Sequence, residues 1–122
     1  YAFYRCSSHR RITIPPSVTV IKKSSFFSYS SLNNITFPSS LSSIEEHTFG
    51  KCFSLTIINI PPNVKIIENH AFVGCKNLQS ISIPSSVVMI RHHAFSGCSS
   101  LRSISIQISV TSIEDFVFSG CS

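Results

Sequence analysis

Five cysteines are the residues of this chain with the widest chemical capacity, because thiols can form disulfides, bind zinc or act as nucleophiles. They recur at a spacing of 23 residues, with Tyr29 in the one intervening place: Cys6, Cys52, Cys75, Cys98 and Cys121. Their number is odd, so one thiol would be left without a disulfide partner, and no Cys-x-x-Cys pair is present. If residues 23 positions apart lie one above another in successive coils of the chain, their side chains point the same way, which suits the torsion angles of a disulfide poorly. The spacing therefore predicts a buried column of free thiols that pack as small hydrophobic side chains.

Three histidines form a second column with the same spacing: His47, His70 and His93. Imidazoles stacked one repeat apart could bind a transition metal. Three carboxylates lie in a neighbouring column that Arg91 interrupts: Glu45, Glu68 and Glu114. Ser24 and Phe116 occupy the histidine position in the flanking repeats, and ligands in a single row do not make a tetrahedral cage. The pattern favours a variable, solvent-facing position, with metal binding as the alternative.

The elements that must position these columns repeat with the same period along the whole chain. A phenylalanine returns every 23 residues: Phe3, Phe26, Phe49, Phe72, Phe95 and Phe118. A fixed period of this length marks a solenoid, in which each coil buries its apolar residues against its neighbours. We divide this single segment into a partial repeat 1–11, the repeats 12–34, 35–57, 58–80 and 81–103, and a partial repeat 104–122. Because neither end carries a polar capping coil, we interpret the chain as part of a longer array.

One repeat predicts two short strands and a turn. Ile81-Ser82-Ile83 alternates apolar and polar residues, as a strand with one buried face does, and Pro84 ends it. Val87 to Ile90 predicts a second, very short strand. Ser96-Gly97-Cys98 predicts one turn, of 3-10 or similar form, with Gly97 in the left-handed conformation. Parallel strands of successive coils would lie about 4.8 Å apart. Because each repeat holds two short strands and a turn, we expect a β-rich fold with little α-helix.

Composition excludes several classes of protein. Hydrophobic residues make up 43% of the chain and charged residues 12%, which is too apolar for a disordered segment. No apolar run reaches the length of a membrane span, so we expect no membrane insertion. The net charge of +5 comes from scattered basic residues without an aromatic and basic stripe, which does not indicate nucleic-acid binding. No phosphate loop, nucleophile elbow or His-Glu-x-x-His motif is present, so we predict no catalytic residues, no metal, no cofactor and no enzyme.

Residues 78–98 follow the pattern Leu-x-x-Ile-x-Ile-Pro-x-x-Val-x-x-Ile-x-x-x-Ala-Phe-x-Gly-Cys. This pattern resembles the BspA-like, treponemal-type leucine-rich repeats, and residues 55–75 fit it as well. Departures are local, such as Tyr29 in the Cys column and Gln107 in place of the strand-ending Pro. The resemblance implies a right-handed coil forming an arc, with a parallel β-sheet on the concave side and short strands, turns or 3-10 segments on the convex side. It also implies a surface protein associated with adhesion to host matrix proteins and with antigenicity.

The concave sheet face is the predicted binding surface. The strand pattern points one isoleucine of each strand inward, so its neighbours point outward, and we predict that the following residues contact a partner: Thr13, Asn34, Thr36, Asn59, Ser80, Ser82, Ser103 and Ser105. The face is small and polar and has no Trp or Tyr anchor, which favours weak, multivalent contact or a solvated face without a partner. Asn34-Ile35-Thr36 also matches the N-glycosylation sequon, and a glycan there would obstruct the face.

We therefore predict a non-enzymatic protein-interaction or adhesion module at the cell surface or outside the cell. Its partners would be proteins, including extracellular-matrix or surface proteins of a host. The alternative is an intracellular scaffold built on the same repeat, which unpaired, reduced cysteines favour. Coils that lack a cap expose apolar columns and unpaired strand edges, so we also expect end-to-end self-association.

Overall fold

The computed structural model describes residues 10–121, which form ten short strands and no helix. Strands of three and of two residues alternate along the chain. The three-residue strands are β1 (Arg11–Thr13), β3 (Asn34–Thr36), β5 (Ile57–Asn59), β7 (Ser80–Ser82) and β9 (Ser103–Ser105). The two-residue strands are β2 (Val20–Ile21), β4 (Ser43–Ile44), β6 (Ile66–Ile67), β8 (Met89–Ile90) and β10 (Ser112–Ile113). The predicted β-rich solenoid is confirmed, including its second, very short strand; Phe3 and Cys6 lie outside the described residues.

Successive coils stack through parallel, in-register strand pairs. Residues 23 positions apart are partners, so Ile81 of β7 lies between Ile58 of β5 and Ile104 of β9. The two-residue strands form one sheet in the order β2-β4-β6-β8-β10. The three-residue strands form two sheets, β1-β3 and β5-β7-β9. The expected main sheet is therefore interrupted between β3 and β5.

The interruption lies between the repeats 35–57 and 58–80. At the other junctions a backbone amide just before the strand bonds to the preceding coil, as Gln79 N does to Thr56 O at 2.8 Å and Arg102 N to Gln79 O at 3.0 Å. No equivalent bond joins β5 to β3. The half-buried Phe37 follows β3 in the column that isoleucine occupies in the neighbouring repeats. The turns around Phe49 and Phe72 remain hydrogen-bonded to each other across this junction.

The core is a single cluster centred on the phenylalanine column. Phe49, Phe72 and Phe95 are fully buried, and Phe72 stacks on both of its neighbours at ring-centroid distances of 5.4 Å and interplanar angles of 7°. Leucine, isoleucine and valine columns surround the rings. This arrangement confirms the register that the sequence predicts, because every phenylalanine of the column that lies between two described coils is buried.

A tight turn follows each core phenylalanine. The amide of Cys98 donates to the carbonyl of Phe95 at 3.1 Å, and the amide of Ser96 donates to the carbonyl of His93 at 3.1 Å, so overlapping turns form here rather than a 3-10 helix. Gly97 has φ of 75°, as predicted. Ser28 and Lys51 occupy the equivalent position with φ of 60° and 59°, so the turn keeps its left-handed form where glycine is missing. This conformation is uncommon for residues that carry a Cβ.

Candidate functional site

The predicted binding residues lie on one face of the three-residue strands. Seven of the eight are exposed and Ser80 is partly buried. The ladder places Asn59, Ser82 and Ser105 in one row, because β5, β7 and β9 pair in register. Thr13 and Thr36 form a second row through β1 and β3. The structure does not join these rows, because β3 and β5 are unpaired. Their role in binding stays a prediction.

A polar groove, which the sequence analysis missed, borders this face. It encloses about 470 Å³. Its lining residues are Arg10, Ser31, Asn33, Ser54, Thr56, Asn77 and Gln79. Four of them precede a strand at the same repeat position, and that column of long or polar side chains (Arg10, Asn33, Thr56 and Gln79) is the signal that could have revealed the groove. The groove widens the polar surface available to a partner.

The four described cysteines are free. Cys52, Cys75 and Cys98 are fully buried. Each thiol donates a hydrogen bond to the carbonyl of the core phenylalanine of the preceding coil, as Cys75 Sγ does to Phe49 O at 3.0 Å. Burial raises the pKa of Cys52 and of Cys98 to about 12, so these thiols keep their protons at neutral pH. They are therefore hydrogen-bond donors between coils as well as small hydrophobic groups.

We predict that the buried thiols react with alkylating reagents only after unfolding. Buried and protonated thiols are poor nucleophiles, so Cys75 and Cys98 should stay unmodified in the native chain for far longer than the partly exposed Cys121. Peptide mass spectrometry after labelling with iodoacetamide, with and without denaturant, measures the difference. Rapid native labelling of Cys75 or Cys98 would contradict the prediction.

The histidine column is packed rather than simply facing solvent, which corrects the expectation from sequence. His47 and His70 stack at 4.5 Å and His70 and His93 at 4.9 Å, both with interplanar angles of 3°. Phe116 continues the stack on His93 at 5.2 Å, and Phe27 meets His47 edge-on at 6.0 Å. All three histidines are partly buried. The column is a continuous aromatic stack along the solenoid.

The ring geometry of this stack suits a metal site poorly. Nearly parallel rings aim their nitrogen lone pairs in parallel directions, whereas a tetrahedral ion needs ligands that converge. Within residues 10–121, no group of three or more His, Cys, Asp or Glu side chains is arranged to hold a metal ion. The geometry therefore gives the metal alternative no support.

Charged side chains flank the stack. Glu46 Oε1 lies 3.4 Å from His47 Nε2, and Glu46 Oε2 accepts a hydrogen bond from Lys23 Nζ at 2.9 Å. Desolvation lowers the pKa of His70, and the neighbouring His47 and His93 lower it further. Because these groups are partly exposed, each ion pair contributes less than about 1 kcal/mol to stability.

The repeated unit, seen now in both sequence and structure, matches a known family model. Six copies of the BspA type leucine rich repeat region cover residues 1–122. The chain belongs to the BspA-type leucine-rich repeat family. Proteins of this family are generally non-enzymatic, and membership indicates a protein-interaction module. No helix among residues 10–121 has the length and apolar character needed to cross a membrane.

Solved structures of bacterial leucine-rich repeat proteins share this fold. A leucine-rich repeat protein from Bacteroides ovatus is 30% identical, with a TM-score of 0.70 over 98% of this chain and 37% of its own. The T. pallidum leucine-rich repeat protein is 29% identical, with a TM-score of 0.75 over 98% of this chain and 67% of its own. A leucine-rich cell surface protein from Faecalibacterium prausnitzii is 32% identical, with a TM-score of 0.62 over 83% of this chain and 33% of its own. A comparison with curated proteins found no match.

Proposed function

We propose that this BspA-type segment is a non-enzymatic module that binds a protein partner through the exposed face of its three-residue strands. The observation that carries the proposal is the row of exposed polar side chains on β5, β7 and β9, which the parallel ladder holds at one spacing. A ladder fixes the backbone beneath these side chains, so little entropy is lost when a partner contacts them. The polar groove beside the strands extends the same surface.

The chemistry of the face favours a weak contact that repeats. Asn59, Ser82 and Ser105 offer short hydrogen-bonding groups without the large aromatic anchors that dominate tight interfaces. Several weak contacts along one array gain affinity through multivalency when the partner also repeats. Extracellular-matrix and surface proteins present such repeated segments, and we propose this class of partner.

A location at the cell surface is part of the proposal. The Faecalibacterium prausnitzii relative is a leucine-rich cell surface protein, 32% identical over 83% of this chain. This likeness supports surface exposure, and adhesion is the function that an exposed interaction module would serve. Self-association through coil ends is proposed as well, and the exposed Ile106, Ile113 and Phe116 of the last described coil support it.

The binding face is tested by placing lysines on it. The double substitution Thr36→Lys and Ser82→Lys should weaken binding to an immobilised extracellular-matrix protein by at least about tenfold, because each lysine adds a long, charged side chain to the contact. The matched control carries Ser39→Lys and Ser85→Lys, exposed positions in the same two repeats that lie beyond the strands. Surface plasmon resonance across a panel of purified matrix proteins measures both variants. Equal affinity of the two variants for every binding protein would contradict the assignment of the face.

An intracellular scaffold is the second candidate, and the free thiols of Cys52, Cys75, Cys98 and Cys121 favour it. Biotinylation of intact source cells with a reagent that does not cross membranes distinguishes the two locations. Recovery of the labelled protein supports the surface proposal, and recovery only after lysis supports the scaffold.

A further inference from the structure

The junction between the repeats 35–57 and 58–80 has fewer strand contacts than its neighbours. β3 and β5 do not pair, and β4 pairs with β6 through the single residue pair Ile44 and Ile67, whereas β6 pairs with β8 through two. The backbone bonds that Val88 N and Arg91 N donate to the preceding coil at 2.9 Å have no counterpart here. The strands on both sides of the coil therefore contribute little to this junction.

The turns around Phe49 and Phe72 hold the junction instead. Phe49 N donates to Ala71 O at 2.8 Å, and Lys51 N donates to Val73 O at 2.7 Å. Phe49 stacks on Phe72 at 5.4 Å, and His47 stacks on His70 at 4.5 Å, the shortest separation in the histidine column. One titratable ring pair thus lies among the contacts that join the two halves of the described array, together with side-chain hydrogen bonds donated by Asn63, Cys75 and Asn77.

The two histidines of this pair have different neighbours. Glu46 lies beside His47, with 3.4 Å between Oε1 and Nε2. The residue equivalent to Glu46 beside His70 is Asn69, whose buried Oδ1 accepts no hydrogen bond. His70 lies between the rings of His47 and His93, and the Glu68 carboxylate of its own repeat pairs with Arg91, with 3.5 Å between Oε2 and Nε.

Glu46 favours a proton on His70, but desolvation and the neighbouring histidines outweigh it, so the pKa of His70 is lowered on balance. Lys23 Nζ pairs with Glu46 at 2.9 Å and competes for the same carboxylate. Lys51 lies over the ring of Phe27 at 5.7 Å and adds positive charge at the end of the stack. Glu114 Oε2 lies 3.3 Å from Nε2 of His92, which is outside the stack. The backbone carbonyl of Asp115 accepts a hydrogen bond from the backbone amide of His93.

We propose that the stacked pair His47 and His70 makes this junction an acid-sensitive joint, at which proton uptake loosens the contact between the repeats 35–57 and 58–80. Two unit charges about 4 Å apart repel by about 1 kcal/mol even in water-like surroundings, which changes an equilibrium constant about fivefold. The junction has few strand contacts to absorb that repulsion. At the neighbouring junctions the paired strands hold the coils together, so the same repulsion opens them less.

The direction of the pH dependence follows from the depressed pKa of His70. In the unfolded or opened chain the pKa of a histidine is about 6.5. Because the closed stack binds the proton less well than the opened one, the contact has its full strength above that value. It weakens as the pH falls from about 6.5 toward the lowered pKa of the closed state.

Hydrogen exchange of the whole chain at pH 7.5 and pH 5.0, corrected for intrinsic rates, tests the joint. Acidification should lower the protection of the junction amides of Phe49 and Lys51 by about fivefold or more. The amides of Phe72 and Gly74, which make the same bonds at the next junction, should lose less. A uniform loss, or no loss at Phe49 and Lys51, would overturn the proposal.

His70→Asn separates titration from packing. Asparagine tolerates the left-handed backbone that His70 adopts at φ of 55°, and it carries no proton, so the pH-dependent loss at Phe49 and Lys51 should disappear. His92→Asn is the matched control, because this exposed histidine lies outside the stack, and the loss should persist. If His70→Asn does not fold at pH 7.5, His47→Asn serves the same comparison. An undiminished loss in the folded variant would show that the stacked histidines are not the sensor.

Discussion

Phe72→Ala should lower the free energy of unfolding by about 3 to 5 kcal/mol, because it removes a fully buried ring and leaves a cavity between coils. The ring stacks on Phe49 on one side and on Phe95 on the other, so its loss affects two junctions at once. A solenoid cannot close such a cavity easily, since each coil is held in register by the next. Chemical denaturation followed by circular dichroism measures the change.

Phe53→Ala is the matched control for the same chemical change. Phe53 lies outside the phenylalanine column and is 38% exposed, and the ammonium group of Lys76 lies 5.6 Å from the centre of its ring. Truncation there should cost about 1 to 2 kcal/mol, less than at Phe72, because the ring is already partly in solvent and leaves no closed cavity. Equal losses in the two variants would contradict the register that places Phe72 in the core.

The period of 23 residues was sufficient to predict the fold and the core. A phenylalanine or an isoleucine that returns at a fixed interval must face the same way in every coil, so Phe72 and Ile81 could be placed inside without a structure. The same reasoning placed Asn59 and Ser82 on the exposed face. The column predicts burial at each of its positions even where one repeat carries a different residue. Tyr29, which stands in the cysteine column, is accordingly buried.

The left-handed column was not predictable from residue types. Five residues share a φ of 55° to 58°: Ser24, His47, His70, His93 and Phe116. Such a conformation costs about 1 to 2 kcal/mol in a residue with a side chain, and Phe116 gives no indication of it. Contacts with the next coil support it in four of the five residues, since the amides of Ser24, His47, His70 and His93 donate to that coil, as His70 N does to His92 O at 3.0 Å. The histidine column was predicted from its spacing, but the partial burial of its rings depends on this backbone and was not predicted.

The interruption of the main sheet was also beyond sequence reasoning. Asn34-Ile35-Thr36 and Ile57-Ile58-Asn59 both carry the strand pattern, and pattern alone predicts that they pair. Pairing depends on how neighbouring coils approach each other, which one coil's sequence does not specify. The hydrogen bond from Cys75 to the Phe49 carbonyl was missed for the same reason, because it joins atoms of different coils.

The interruption predicts different exchange rates for the equivalent amides of Ile35 in β3 and Ile81 in β7. Residues along a parallel strand alternate in the neighbour to which they bond. Asn34 N bonds to Arg10 O on the β1 side, so the amide of Ile35 faces β5, with which β3 does not pair. Ser80 N bonds to Thr56 O on the β5 side, so the amide of Ile81 faces β9, with which β7 does pair.

Hydrogen exchange at neutral pH should therefore show Ile81 exchanging at least about tenfold more slowly than Ile35, since a lost hydrogen bond and local opening together cost an amide that much protection. Ile58 should be protected like Ile81, because β5 pairs with β7. Ile12 should be among the first to exchange, since its repeat carries Ser25 and Tyr29 in place of the family residues and its side chain is only partly buried. NMR-detected exchange resolves these amides individually. Equal protection of Ile35 and Ile81 would show that the ladder is continuous in solution, and uniform protection along the chain would show that its end coils are covered by a partner.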